Sequence, residues 1–284
     1  MAELGLRSRP LGTPIGLEVL DVNLAEPLGD RTLTAIRSLF AENPVLVFRN
    51  QDLDAAAIAR FARTFGQIVP GVIEKYRHPD VPDVSYLTNV EADGSVDAFG
   101  VRRASDWHYD GSFAESPPDC AMLYGIKIPS DGGGTLFADM HTAFLTLPQN
   151  LRDRIEALET INHFGLGPAG RDYFDGMSPD RWGTYTPVRR PLVMPHPITG
   201  RKLLKFCMIH TAGFAGMTHR DSANLMADLL VQATGDASTY YHAWQPGDLV
   251  LWDEHATMHR NAGDFSPEQP RVMLRAMVGG DPAE

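Results

Sequence analysis

Cysteine is nearly absent from this chain. Its two cysteines, Cys120 and Cys207, have no paired spacing. A zinc ribbon or disulfide scaffold is therefore disfavoured, and a reducing, cytoplasmic setting is expected. Positive charge is also in deficit, with 25 Lys and Arg against 36 Asp and Glu and a formal net charge of −11. That argues against nucleic acid as a partner. No apolar run is long enough to span a bilayer, and the first residues lack the apolar core of a signal peptide, so no membrane partner is expected. Repeats and low-complexity segments are missing too. What remains, with 43% apolar and 21% charged residues, is a globular chain with ample core. No boundary marks it, so residues 1–284 read as one domain. Homo-oligomerisation stays open.

The local patterns suggest strands in the middle and at the end, with helices early and on one flank. Strands are expected over Leu17–Leu24, Val45–Phe48, Ala121–Ile128, Thr135–Phe137, Asp248–Trp252 and Arg271–Val278. Helices are expected after caps at Asp30, Asp54 and Asp221, and around Leu151, Ile155 and Leu158. Residues 91–106 read as a loop feeding a strand at His108. The pattern predicts an α+β, mainly β fold: a double-stranded β-helix (jelly roll) core with flanking helices. Residues 165–187, rich in Gly, Pro and aromatics, read as a functional loop, in which Tyr173, Phe174 and Trp182 could cover a substrate.

The most informative segment is Trp107-His108-Tyr109-Asp110-Gly111. Two apart on a strand, His108 and Asp110 point to one side while Tyr109 packs on the other. A second imidazole from a distant strand would complete a two-histidine, one-carboxylate face with positions left open on a metal. His259 and His255 both compete for that role after the apolar run Leu249-Val250-Leu251. Arg271 and Arg275 lie four apart on a late strand and share a face with Met273. They either face solvent or clamp carboxylates inside a barrel mouth, a task suited to the guanidinium fork. Thr135, after Gly132-Gly133-Gly134, is either an ordinary β-former or a hydroxyl donor to the same anion.

Together these residues resemble the taurine dioxygenase and 2,4-dichlorophenoxyacetate dioxygenase (TauD/TfdA) family of Fe(II)/2-oxoglutarate-dependent oxygenases, over nearly the whole length. Trp107-His108-x-Asp110 resembles its first metal motif, and Trp252-Asp253 with His259 its second. Pro129 to Phe137 is similar to its Gly-Gly-x-Thr turn. The runs from His196 to Lys202 and from Trp244 to Leu249 also resemble family segments.

The resemblance implies Fe(II) bound by His108, Asp110 and His259, which selects His259 over His255. It implies 2-oxoglutarate held by Thr135 and Arg271, with O2 as the oxidant and succinate and carbon dioxide as co-products. It implies a small anionic substrate at Arg275, with Lys75 as a second anion contact against the alternative of a solvated loop lysine. A carboxylate at Asp110 implies hydroxylation rather than halogenation. The substrate expected is an aryloxy- or aryl-alkanoate carboxylate, with taurine or an alkylsulfonate as the alternative. The chain departs from the family pattern at Glu254, where Asn is common, and in a loop from His259 to Arg271 that is one residue longer. Rival classes are a zinc hydrolase on the same triad and a non-catalytic ligand-binding barrel.

Overall fold

Alternation of apolar side chains puts both faces of the central strands in contact with core. In Val45–Phe48, Leu46 and Phe48 join one apolar cluster while Val45 and Val47 join another. The computed structural model describes residues 6–12, 15–71, 73–168 and 186–279. Within these, the early strands are β1 (Ser8–Pro10), β2 (Leu17–Val19), β3 (Val45–Phe48), β4 (Gln67–Ile68), β5 (Ser85–Thr88) and β6 (Cys120–Lys127). They are followed by β7 (Thr135–Asp139), β8 (Glu159–Asn162), β9 (Val188–Pro191), β10 (Val193–Pro195), β11 (Lys202–Leu204) and β12 (Thr211–Phe214). The last four are β13 (Thr239–His242), β14 (Leu249–Asp253), β15 (Thr257–Asn261) and β16 (Val272–Gly279). The helices are α1 (Asp30–Glu42), α2 (Ala55–Arg63), α3 (Ala98–Arg102), α4 (Met140–Thr146), α5 (Gln149–Ile155) and α6 (His219–Ala233).

The larger sheet runs β1-β2-β3-β14-β6-β16-β4, with β5 also on β16, and a smaller sheet runs β13-β7-β15. Apart from the parallel pair β2–β3, these ladders are antiparallel. Val47, Leu123, Val250 and Met273 from the large sheet meet Phe137 and Tyr240 from the small one. The opposite face of the large sheet, through Leu46, Met122, Leu251 and Leu274, packs on Ile36 of α1 and on Ile58 and Phe61 of α2. The outer face of the small sheet, through Ala138 and Met258, packs on Phe144 of α4 and Leu225 of α6. Two facing sheets with helices outside make the expected mainly β jelly-roll core. Odd positions of β15 and the Arg271, Met273, Arg275 face of β16 thereby point between the sheets.

Several local expectations shift. The strand expected over Leu17–Leu24 ends at Val19, where Asp21 takes a φ of 60°. Asp54 caps α2 as expected, accepting from Ala57 N–H, but Gly29 caps α1 without a side-chain bond. Thr218, not Asp221, caps α6, its hydroxyl accepting from Asp221 N–H at 3.2 Å. Helix α5 ends at Ile155, short of Leu158. The loop expected over 91–106 contains α3, capped by Asp97. His108 lies in no regular strand: it makes one isolated antiparallel bridge with His259. Tyr173, Phe174 and Trp182 lie outside the described residues.

The triple glycine is required by contact as well as by φ. Gly132 and Gly133 have φ of 69° and 74°. A Cβ on Gly132 would sit 2.0 Å from the Asp264 carbonyl oxygen, and one on Gly134 would sit 2.2 Å from the Tyr241 ring. This turn launches β7 with Thr135 pointing into the space between the sheets.

Candidate metal and anion site

The bridge between His108 and His259 does the first work of assembly. His108 N–H donates to the His259 carbonyl at 3.0 Å, and His259 N–H returns a bond of 2.8 Å. The two imidazoles lie with ring centroids 4.3 Å apart. Asp110 follows in the next turn, and one ligand atom from each of His108, Asp110 and His259 lies within 4.8 Å of the others. That is the only such group of three or more potential ligands among the described residues. His108 Nδ1 is 2.8 Å from the Asp106 carbonyl. It therefore carries the proton, leaving Nε2 as the electron-pair donor, 3.8 Å from Asp110 Oδ1. His255 points elsewhere, with its Nε2 2.8 Å from Asp119.

The electrostatics suit a cation. Burial would push the Asp110 carboxyl up, but Arg275, His259 and His108 draw it well below the usual carboxylate range. Burial holds both histidines below the ordinary imidazole value, and the His108 imidazole lowers His259 further. Two neutral imidazoles and one ionised carboxylate are the donor set of a divalent transition metal with open positions. Trp252 and Phe137 wall off the His259 ring, at centroid distances of 4.9 and 6.2 Å.

A cavity of about 630 Å³ opens on this group, and Thr135, Arg271 and Arg275 line it with His108, Asp110 and His259. Arg271 is 6% exposed. Its Nε donates to the Gly133 carbonyl at 2.8 Å and its Nη2 to Thr135 Oγ1 at 3.2 Å. Among the described residues no carboxylate lies within salt-bridge distance of it, and burial lowers its pKa to about 10. A buried guanidinium in that position calls for an anion. Thr135 Oγ1 also accepts from Trp244 Nε1 at 2.9 Å. A hydroxyl has two lone pairs and one proton. With Arg271 and Trp244 on the lone pairs, the proton is left for an acceptor.

Arg275 is placed differently. It lines the cavity, but its Nη1 donates to Asp110 Oδ2 at 2.9 Å. Lys75 is not brought to the cavity. Its side chain is 50% exposed and pairs with Glu91 at 2.9 Å and Asp97 at 3.4 Å. The bond to Glu91 raises its pKa. The neighbouring Glu74 lines the cavity instead.

Sequence reasoning missed several residues here. Arg103, Phe113, Phe164, Ile209 and His210 line the cavity, and no short motif distinguishes them. Lys205 carried a usable signal: a lone lysine in the apolar run Leu203-Leu204-Lys205-Phe206-Cys207, which burial makes costly. It is 3% exposed.

His210 supports a pH prediction. Its Nδ1 accepts from Gly165 N–H at 2.9 Å, and its ring meets Phe113 and Phe164. Burial, reinforced by His108, lowers its pKa from 6.5 to about 3. Below the unfolded value the unfolded chain takes a proton that the folded chain refuses. The associated stability is thus complete above pH 6.5 and is lost as pH falls towards 3. Between pH 6.5 and 4.5 the wild-type protein should lose about 2–3 kcal/mol more than His210→Asn, which keeps an acceptor near Nδ1. Urea unfolding of the metal-free proteins measures this; parallel pH profiles would show that His210 titrates normally.

The geometry agrees with comparisons to known proteins. Residues 7–277 match the family model described as taurine catabolism dioxygenase TauD, TfdA family. The alpha-ketoglutarate-dependent 2,4-dichlorophenoxyacetate dioxygenase of Cupriavidus pinatubonensis is 32% identical over 266 residues, covering 89% of this chain and 91% of that protein. An alkylsulfatase of Acinetobacter baylyi is 30% identical over 288 residues, covering 97% of this chain and 86% of that protein. The crystal structure of AAD-2 in complex with Mn(II) and N-oxalylglycine superposes with a TM-score of 0.85 at 28% identity, covering 98% of this chain and 99% of that one. No helix among the described residues is long and apolar enough to cross a membrane. A fold of two facing sheets, a His-Asp-His cluster on its cavity and a family match across nearly all of its length lead to one conclusion: this chain belongs to the TauD/TfdA family and is a 2-oxoglutarate-dependent dioxygenase.

Proposed function

We propose that this dioxygenase binds Fe(II) through His108, Asp110 and His259 and oxidises a small anionic substrate, an aryloxy- or aryl-alkanoate carboxylate. The observation that carries the reading is the meeting, on one cavity, of the His-Asp-His cluster with the buried Arg271, which meets no carboxylate among the described residues. Iron with 2-oxoglutarate and O2 supplies the oxidising power when bound, with succinate and carbon dioxide as co-products. The protein's own part is positioning. Arg271 and the Thr135 hydroxyl hold the distal carboxylate of 2-oxoglutarate, which sets the direction of the rest of the molecule. His108 presents Nε2 because Nδ1 is engaged by Asp106. Phe137 and Trp252 keep water from the His259 side.

Arg275 uses one donor on Asp110 and is the cavity-lining cation assigned to the substrate's anionic group. Val69, Ile73, Leu87, Phe113, Phe164 and Met277 give the remaining space an apolar lining, suited to an aromatic body. The similarity to an alkylsulfatase favours a second reading, in which the anion is a sulfate ester. Anaerobic addition of Fe(II) and 2-oxoglutarate should give a weak visible charge-transfer band. Exposure to O2 with a panel of arylalkanoates, sulfonates and alkyl sulfates should then give substrate-dependent succinate. Succinate with sulfate esters alone would replace the carboxylate reading, and no band with no succinate would end the iron assignment.

A further inference from the structure

Behind the proposed metal face lies a buried acid that the reaction scheme leaves unused. Glu254 has no exposed surface. Its Oε2 accepts the Asp110 N–H at 3.0 Å, and its Oε1 accepts the Trp252 indole N–H at 2.8 Å. His259 Nδ1 is buried and has no hydrogen-bond partner. Among the described residues, Glu254 is the only carboxylate within 4.0 Å of a His259 ring nitrogen, its Oε2 lying 4.0 Å from Nδ1. That separation exceeds a hydrogen bond by roughly 1 Å, a shift within reach of a small ring rotation. A histidine that ligates a metal through Nε2 carries its proton on Nδ1 and directs it to an acceptor, most often a carboxylate or carbonyl.

Lys205 lies beneath this acid. Its ammonium donates to the Glu254 and His255 carbonyls and sits 3.7 Å from the centroid of the Tyr109 ring. It therefore holds the turn that carries Glu254 and places a positive charge next to it.

We propose that Glu254 is a positioning residue for the metal face: it fixes Asp110 through its main-chain N–H and accepts Nδ1–H of His259, while Lys205 holds its turn through the main-chain carbonyls. The proposal rests on the reading of His108, Asp110 and His259 as ligands. It makes three segments far apart in the chain act as one support.

Co(II) titration of the metal-free protein tests this, with the d–d absorption band as the signature and thermal unfolding as the check on folding. Glu254→Gln keeps the size of the side chain but not its charge or its two equivalent acceptors. It should weaken Co(II) binding about 10- to 100-fold and shift the band, with the fold retained. Lys205→Met should weaken binding in the same direction. A folded Glu254→Gln that binds Co(II) with unchanged affinity and spectrum, while Asp110→Ala does not bind, overturns the proposal alone. Normal Co(II) binding by Asp110→Ala overturns the ligand reading beneath it. Should Glu254→Gln fail to fold, the wild-type protein decides. In its Zn(II)-loaded form, nitrogen NMR of the histidine rings should find the His259 proton on Nδ1, hydrogen-bonded; a proton on Nε2 refutes the assignment.

Discussion

Asp110→Ala is expected to abolish iron-dependent oxidation, with a loss of at least about 10³-fold. Asp110 is the only anionic member of the proposed ligand set. Removing one ligand worth on the order of 4 kcal/mol gives that factor, since each 1.4 kcal/mol is tenfold. The same substitution leaves Arg275 without the carboxylate it meets at 2.9 Å, with only 12% of its side chain exposed. Breaking a buried pair from one side costs about 3 kcal/mol. The two effects separate in the double variant Asp110→Ala/Arg275→Met: stability should recover while succinate formation stays lost. Full activity in Asp110→Ala, measured by succinate release, would refute the ligand assignment.

Arg271→Ala is expected to raise the 2-oxoglutarate concentration needed for half-maximal turnover by about 10²- to 10³-fold. Truncating one side of a buried, hydrogen-bonded charge pair costs about 2–5 kcal/mol. The direction follows from the contrast between the two arginines. Arg275 already meets a protein carboxylate, whereas among the described residues the Arg271 guanidinium donates to the Gly133 carbonyl and the Thr135 hydroxyl and meets no carboxylate. Arg275→Ala should chiefly raise the KM of the primary substrate. If instead Arg271→Ala moves only that KM and Arg275→Ala moves the 2-oxoglutarate requirement, the two roles are exchanged. Isothermal titration with 2-oxoglutarate and Co(II), without turnover, gives an independent measure.

Much of the architecture was legible because it is written in short-range pattern. The unbroken apolar run Val45–Phe48 foretold a short, fully buried strand, and Leu46 and Val47 do enter different clusters. Asp54 reads as a cap and is one. Elsewhere local signals competed. Thr218 precedes Asp221 and takes the cap of α6 because its hydroxyl reaches the Asp221 N–H. His108 and Asp110 read as a strand pair, yet His108 makes only one bridge before the chain turns. The turn changes how the carboxylate approaches the imidazole without separating the two.

The amino-acid sequence by itself determined which chemical groups are available and their local spacing: a histidine two residues from an aspartate, two arginines four apart on one strand face, and glycines where Asp264 and Tyr241 leave no room for a Cβ. Only the tertiary structure decided which of these groups meet. It paired Arg275 with Asp110 across 165 residues of chain, left Arg271 beside Thr135 without a carboxylate among the described residues, and kept Lys75 on the surface with Glu91. It also brought Lys205 under Glu254. The reason is that side-chain periodicity encodes which face of an element is buried, whereas charge pairing depends on the register between strands and turns distant in sequence.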